Sequence, residues 1–198
     1  MKEFVIATNN EKKVVEIQRI LAPLGVTAVT AASKGIDLGD VVEDGSTFAE
    51  NAYIKAKSAF DKCGLPVVAD DSGLCVDALG GRPGVYSARY VGDHSPYSVK
   101  IASLLGELSG VPDDERTAHF TCSVCCILKS GEVIAVEGRC DGSIAHAPSG
   151  DGGFGYDPVF VVDGKSFASL TAEEKDRYSH RGNALRALRD ALQSYPFE

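Results

Sequence analysis

Phe4-Val5-Ile6-Ala7-Thr8-Asn9-Asn10-Glu11-Lys12-Lys13-Val14 decides the class of fold. Phe4 to Ala7 is a short apolar run of strand type. It stops at Thr8-Asn9-Asn10, residues that cap helices. Val14, Ile17, Leu21 and Leu24 then recur at helical spacing, and Pro23-Leu24-Gly25 closes the helix. A strand, a polar turn and a helix in that order open an α/β chain. The turn also sets helix N–H groups where an anion can sit.

The pattern continues outward from there. Asp40 to Ser46 reads as a short strand and turn, and Thr47-x-x-Glu50 is a capping box. The helix behind it carries Ala52, Ala56, Ala59 and Phe60 on one face and closes near Gly64. Asn51 and Lys55 share another face, being four apart. Pro66 to Ala69 is a second buried-type strand that runs into Asp70-Asp71-Ser72-Gly73. Ser95-Pro96 opens a third helix, with Pro96 suited to its first position and Tyr97, Ile101, Leu104 and Leu108 at helical spacing. Ala118–Leu128 and Glu132–Glu137 form a candidate hairpin around Ser130-Gly131. Tyr156 to Val162 reads as the last strand. Thr171-x-x-Glu174 is a second capping box. Leu185, Leu188 and Leu192 end the chain in a helical stretch, with a break expected at Gly182. No repeat or linker interrupts residues 1–198, so a single α/β domain with a mixed sheet is expected.

Composition narrows the function. Hydrophobic residues make up 44% and charged residues 24%, as in ordinary globular chains. A net charge of −8 argues against DNA or RNA as a partner, which calls for a basic face. It leaves room for a single nucleotide, which needs only a few local cations. Met1 to Ala7 is too short and too soon polar for a signal peptide, and no apolar run nears the roughly 18–20 residues of a membrane span. A cytoplasmic protein without membrane contact is expected. Cys122-x-x-Cys125-Cys126 raises a zinc question, but Cys140 and His146 supply no second ligand pair of suitable spacing. Phe120, Cys122, Val124, Cys126 and Leu128 instead alternate, as on the buried face of a strand.

Five segments carry candidate chemistry. Asp70 and Asp71 are adjacent carboxylates whose repulsion and desolvation call for a cation, and Mg²⁺ suits oxygen ligands. A solvated turn made of Asp, Ser and Gly accounts for them equally well. Glu43 and Asp44 form a second acidic pair, which matters only if the fold carries it to Asp71. Thr8 to Lys13 has the elements of a phosphate cradle but lacks P-loop spacing, and Lys12 and Lys13 taken alone are two solvated lysines. Gly152-Gly153-Phe154-Gly155-Tyr156-Asp157 joins glycines that allow close approach of a ligand to aromatics that can stack on a base. Core-plugging aromatics are the alternative. His180-Arg181 beside a helix start is suited to a keto oxygen or a phosphate.

In order, these segments read Ala7-Thr8-Asn9-Asn10-x-x-Lys13, Glu43-Asp44-Gly45-x-Thr47-Phe48-x-Glu50-Asn51-Ala52-x-x-Lys55-Ala56 and Ala69-Asp70-Asp71-Ser72-Gly73-Leu74. They go on through Gly152-Gly153-Phe154-Gly155-Tyr156-Asp157-Pro158 and Ser179-His180-Arg181-Gly182, with a sixth stretch, Gly80-Gly81-x-Pro83-Gly84-x-Tyr86-Ser87-Ala88-Arg89, in between. Nearly end to end, the chain resembles the inosine triphosphate pyrophosphatase family. The resemblance implies a homodimer with an elongated mixed sheet flanked by helices, and two lobes around a central nucleotide-binding cleft. It implies Mg²⁺-dependent hydrolysis of dITP, ITP and XTP to the monophosphate and pyrophosphate. By position, Asp71 is the implied general base, supported by Asp70, and Glu43 and Asp71 are the implied metal ligands. Thr8, Asn9, Asn10, Glu11, Lys12 and Lys13 hold phosphates, and Ser72 and Lys175 contact substrate. Phe154, Gly155, Tyr156 and Asp157 line the base and sugar pocket, while His180 and Arg181 help read the base. The extended Gly-Phe-Gly-Tyr-Asp and Ser-His-Arg segments speak against a Maf-type enzyme for modified pyrimidine nucleotides. The Asp70-Asp71 pair speaks against a regulator that only binds nucleotide.

Overall fold

Alternation along one strand explains most of the architecture. The computed structural model describes residues 2–39, 41–193 and 195. Its elements in chain order are β1 (Lys2–Ile6), α1 (Glu11–Leu21), β2 (Val26–Thr30), α2 (Phe48–Cys63), β3 (Val67–Val76) and α3 (Tyr97–Glu107). They continue with β4 (Thr117–Ile127), β5 (Val133–Ile144), β6 (Phe160–Val162), β7 (Lys165–Ser166), α4 (Ala172–Tyr178) and α5 (His180–Gln193). The strands lie in the order β2-β1-β3-β4-β5-β6-β7. β1 runs parallel to β2 and β3, while β6 is antiparallel to β5 and β7, so the sheet is mixed.

The chain divides into two compact units, each discontinuous in sequence. The first holds the residues up to Asp71, Cys122–Gly138 and His180 onward; the second holds Ser72–Thr121 and Arg139–Ser179. In the first unit the strands are buried on both faces, so successive residues join different layers. Phe4, Ile6, Val68, Cys122, Val124 and Cys126 pack with Ile17 and Leu21 of α1 and Leu185 and Leu188 of α5. Val5, Val67, Ala69, Cys125 and Ile127 pack with Ala52, Ala56 and Ala59 of α2. The cysteine cluster is therefore core on both faces, rather than the single buried face read from alternation. In the second unit Leu74, Ile101, Leu104, Leu108, Phe120, Phe160 and Phe167 form a separate core. There Phe160 meets Phe120 and Phe167 edge-on at centroid distances of 4.7 and 4.9 Å.

Several elements differ from the sequence reading. Asp70-Asp71-Ser72-Gly73 continues β3 rather than forming a turn. Val26–Thr30 is a strand that the sequence reading did not single out. Residues 41–45 carry no strand, and Asp40 lies outside the described residues. Only Phe160–Val162 of the expected last strand is extended, because the Val159 and Phe160 N–H groups turn back to the Tyr156 carbonyl. β5 continues to Ile144, well past Glu137. Pro96 is the N-cap of α3 rather than its first residue. The break between the last two helices falls at extended Ser179, and Gly182 sits inside α5. Both capping boxes, Thr47 with Glu50 and Thr171 with Glu174, form as expected. No helix among the described residues is long and apolar enough to cross a membrane.

One glycine fixes where α5 begins. A Cβ on Gly138 of β5 would lie 2.2 Å from both the Ala184 nitrogen and the His180 oxygen. Strand and helix backbones thus touch, and neither can yield as a side chain would. Gly138→Ala is expected to destabilise the protein by at least ~1–3 kcal/mol, the usual range for overpacking. Urea denaturation checks this, and an unchanged midpoint would remove the contact from the account.

Candidate active site

Because side chains alternate across a strand, Asp70 and Asp71 leave β3 on opposite faces. Asp70 follows Val68 onto the α1/α5 side, and Asp71 follows Ala69 onto the α2 side. Their adjacency in sequence therefore does not place the carboxylates together. Their direct contacts differ, Lys13 and Arg181 at Asp70 and Lys55 at Asp71, while Lys13 and Lys55 act electrostatically on both.

Asp70 is fully buried. Its Oδ2 lies 3.0 Å from Lys13 Nζ and 3.0 Å from Arg181 Nη2, with Arg181 Nε at 3.3 Å. The Cys122 thiol also points at Oδ2, 3.8 Å away. Oδ1 is buried with no hydrogen-bond partner. Burial pushes the Asp70 carboxyl up, but Lys13, Arg181 and Lys55 outweigh it and hold the group far below the usual carboxylate range. Arg181 is only 2% exposed, and its Nη1 donates to Glu16 Oε2.

Asp71 faces α2. Lys55 Nζ lies 3.0 Å from Asp71 Oδ1 and 2.8 Å from Glu43 Oε2. Asn51, one turn earlier and 1% exposed, donates from Nδ2 to Asp71 Oδ2 at 3.4 Å and accepts from the Gly45 N–H. The Thr47 cap starts the helix that delivers both residues. Burial raises the Asp71 carboxyl and Glu43 adds to it, while Lys55 and Lys13 oppose; the balance is upward. Burial presses Lys55 towards its neutral form, but Asp71, Asp70 and Glu43 prevail and keep it an ammonium. Four carboxylates (Glu16, Glu43, Asp70 and Asp71) thus meet three cations (Lys13, Lys55 and Arg181). One negative charge is left over within this group.

The start of α1 is capped by its own chain. Asn10 Oδ1 accepts from the Lys12 and Lys13 N–H groups at 3.0 and 3.3 Å, and Asn10 N donates to Thr8 Oγ1. Two of the N–H groups expected to meet an anion are therefore engaged by Asn10. Asn9, Asn10, Glu11 and Lys12 remain exposed. Lys13 is not a solvated lysine, since its ammonium is turned onto Asp70.

The second unit builds a separate group. Asp157 is 3% exposed, and its Oδ2 accepts from Phe154 N at 2.8 Å and Lys175 Nζ at 2.7 Å. Lys175 Nζ lies 4.5 Å from the centre of the Phe154 ring. Gly153 has φ +68°, and a Cβ there would lie 2.1 Å from Asp157 Oδ2. The close approach expected of this glycine loop is thus made, here, to the protein's own Asp157. Tyr156 is 2% exposed; its hydroxyl donates to the Ser87 carbonyl, and its ring meets Tyr97 edge-on. For Tyr156 the core-plugging alternative holds. Phe154, half-buried beside Gly155, is the aromatic of this segment with partial exposure.

The fold gathers Glu43, Asp70, Asp71, Lys13 and Arg181 in one unit, and Phe154, Tyr156, Asp157 and Lys175 in the other. Ser72 is the first residue of the second unit, and His180 begins α5. Asn51, Lys55 and Glu16 join the cluster without having been candidates. The Asn51/Lys55 spacing on a capped helix was the available signal for two of them.

A family model described as the Ham1 family matches residues 4–191. A dITP/XTP pyrophosphatase of Geobacillus kaustophilus is 52% identical over 190 residues, covering 95% of this chain and 93% of that protein. A dITP/XTP pyrophosphatase of Streptomyces coelicolor is 45% identical over 191 residues, covering 95% and 96%. The structure of a HAM1 protein from Coxiella burnetii superposes with a TM-score of 0.88 at 38% identity, covering 98% of this chain and all of that one.

Proposed function

The chain belongs to the Ham1 family, and from that premise we propose that it hydrolyses non-standard purine nucleoside triphosphates, dITP, ITP and XTP, to the monophosphate and pyrophosphate. The observation that carries the chemistry is the Asp71 carboxylate, held by Asn51 and Lys55 at the meeting point with Glu43.

The donor set fits Mg²⁺. Glu43 and Asp71 already converge on one positive charge, the Lys55 ammonium, and both offer hard oxygen donors. Among the described residues no group of three His, Cys, Asp or Glu side chains is placed to hold a metal by itself. Two carboxylates, completed by phosphate oxygens and water, are a usual Mg²⁺ environment. When bound there, the ion neutralises charge on the triphosphate oxygens.

Asp71 accepts a proton from the water that attacks the α-phosphorus, and its upward-shifted carboxyl suits a base better than an ordinary Asp does. Lys55 fixes the orientation of that carboxylate. Lys13 and the polar start of α1 (Thr8 to Lys12) stabilise the departing pyrophosphate. Ser72 and Lys175 touch substrate. Phe154 stacks on the base, and Asp157 braces the loop through the Phe154 N–H and Lys175. Gly155 and His180 complete the purine and sugar contacts. Donors facing the purine 6-position pair with the keto oxygen of hypoxanthine or xanthine and stay unpaired against adenine. The same reading has the protein act as a cytoplasmic homodimer; sedimentation of the purified chain tests the dimer.

Steady-state rates with dITP, XTP, dATP and dGTP test the substrate class. Preference for dITP and XTP supports it, and equal rates with dATP oppose it. Within that assay, Lys13→Ala is expected to lower kcat/KM for dITP by roughly 10- to 100-fold, the worth of a charged hydrogen bond. The dITP-to-dATP ratio should stay in place. A collapse of that ratio would move Lys13 from the phosphates to the base.

A further inference from the structure

Tyr97, the first residue of α3, is a large ring that folding leaves 38% exposed. It is nevertheless fixed. Its ring meets that of Tyr156 edge-on at a centroid distance of 5.4 Å, and the Tyr156 hydroxyl is tied to the Ser87 carbonyl at 3.0 Å. One turn along α3, Lys100 is 1% exposed and donates to the carbonyls of Ala88, Tyr90 and Gly92 at 2.8, 3.0 and 2.7 Å. That ammonium pins α3 to the 88–92 segment and lies 5.8 Å from the centre of the Tyr97 ring. The ring borders the glycine loop: a Cβ placed on Gly155 would lie 3.6 Å from Tyr97 Cε1 and 4.0 Å from its hydroxyl oxygen. The phenol therefore stands beside bare backbone, one residue from the half-buried Phe154. Among the described residues nothing accepts its O–H. Burial, and after it the Asp157 charge, pushes the phenol up, so the donor keeps its proton at neutral pH.

We propose that Tyr97 is a nucleotide-contacting residue, lining the nucleoside end of the site beside Gly155 and donating its phenol hydrogen bond to the base or sugar. Three features carry this. The ring offers apolar area that is already immobilised, so little side-chain freedom is lost when a ligand meets it. The hydroxyl adds a neutral donor, and the keto oxygens of a purine and the oxygens of its sugar are acceptors. Asp157 Oδ2, the other polar atom of this loop, serves the loop itself through the Phe154 N–H and Lys175. Lys13 and Lys55, the cations beside the two aspartates, belong to the other unit, so Tyr97 bears on the nucleoside rather than on the phosphates.

The inference rests on the pyrophosphatase reading, with the purine beside Phe154, and its test separates the two. Parent chain, Tyr97→Phe and Tyr97→Ala are compared for KM and kcat with dITP, for inhibition by dIMP and by inorganic pyrophosphate, and for thermal unfolding. The first inhibitor carries the nucleoside, and the second carries phosphates alone. A parent chain that releases no pyrophosphate from dITP defeats the underlying reading. Given parent activity, Tyr97→Phe should raise KM for dITP and Ki for dIMP about 3- to 10-fold, the worth of one hydrogen bond. Tyr97→Ala should raise both further, since the ring contact goes as well. The kcat and the Ki for pyrophosphate should stay within about twofold of the parent, as when uniform binding is removed. Parental KM and Ki for dIMP in Tyr97→Phe would overturn the proposal. So would a Ki for pyrophosphate that rises together with that for dIMP, or a lower Tm with both inhibitors bound as in the parent. If Tyr97→Ala fails to fold, Tyr97→Phe decides alone: weaker dIMP inhibition with parental pyrophosphate inhibition supports the proposal, and parental dIMP inhibition refutes it.

Discussion

The Asp71→Asn variant is expected to keep its fold and to release pyrophosphate from dITP about 10²–10⁴-fold more slowly, the range lost with a positioned general base. The substitution is nearly isosteric. The amide oxygen can keep the Lys55 contact made by Oδ1, while the amide NH2 replaces Oδ2 and gives up only the longer hydrogen bond from Asn51, 3.4 Å. What disappears is the ability to take a proton, and with it one of the two carboxylates that meet Lys55. The loss should therefore fall on kcat, with thermal unfolding close to that of the parent. A rate within threefold of the parent would take the base role from Asp71. A large loss of stability would make the residue structural.

Asp70→Ala should act in the opposite sense, on stability first. It leaves Lys13 and the buried Arg181 guanidinium without their shared anion, with Glu16 still beside Arg181. Breaking one side of a buried ion pair typically costs about 3–5 kcal/mol, and a fall in Tm of roughly 10 °C would report it. The pH dependence has a definite sign. The folded-state Asp70 carboxyl is depressed, so its contribution is fully present above the unfolded value of about 3.9. It is lost only as the pH falls towards the folded value, in strong acid. Urea midpoints at neutral pH measure the substitution directly. A loss below about 1 kcal/mol, the scale of an exposed pair, would mean that the cluster contributes no more than a surface salt bridge.

These two aspartates also show where sequence reading reaches and where it stops. The strand before them, the α1 and α2 caps and the mixed α/β class follow from local patterns. Apolar runs, Asn10 and the Thr47/Glu50 box act within a few residues of themselves. The resemblance of the motifs to a pyrophosphatase family was equally legible, since it lies in the linear order of residues. The continuation of β3 through Asp70-Asp71-Ser72-Gly73 was not. Turn-forming residue types masked a strand held by its neighbours in the sheet. With the turn went the inference that the two carboxylates repel, because strand alternation sends them to opposite faces. Lys13 read as a solvated lysine because its partner lies 57 residues away. Glu16 was illegible for the same reason, its partner being 165 residues on. Tyr156 and Phe154 look alike in sequence, and only packing separates the core ring from the half-buried one. Gly138 gave no local signal at all, since the backbone that requires it belongs to α5.

The measurement closest to the central claim is the product released from dITP, followed with Mg²⁺ and again with excess EDTA. The account predicts one pyrophosphate and one dIMP per dITP consumed, with release abolished by EDTA and restored by added Mg²⁺. Orthophosphate with dIDP would contradict it, because the attack would then fall on the γ-phosphorus rather than on the α-phosphorus that Asp71 is proposed to serve.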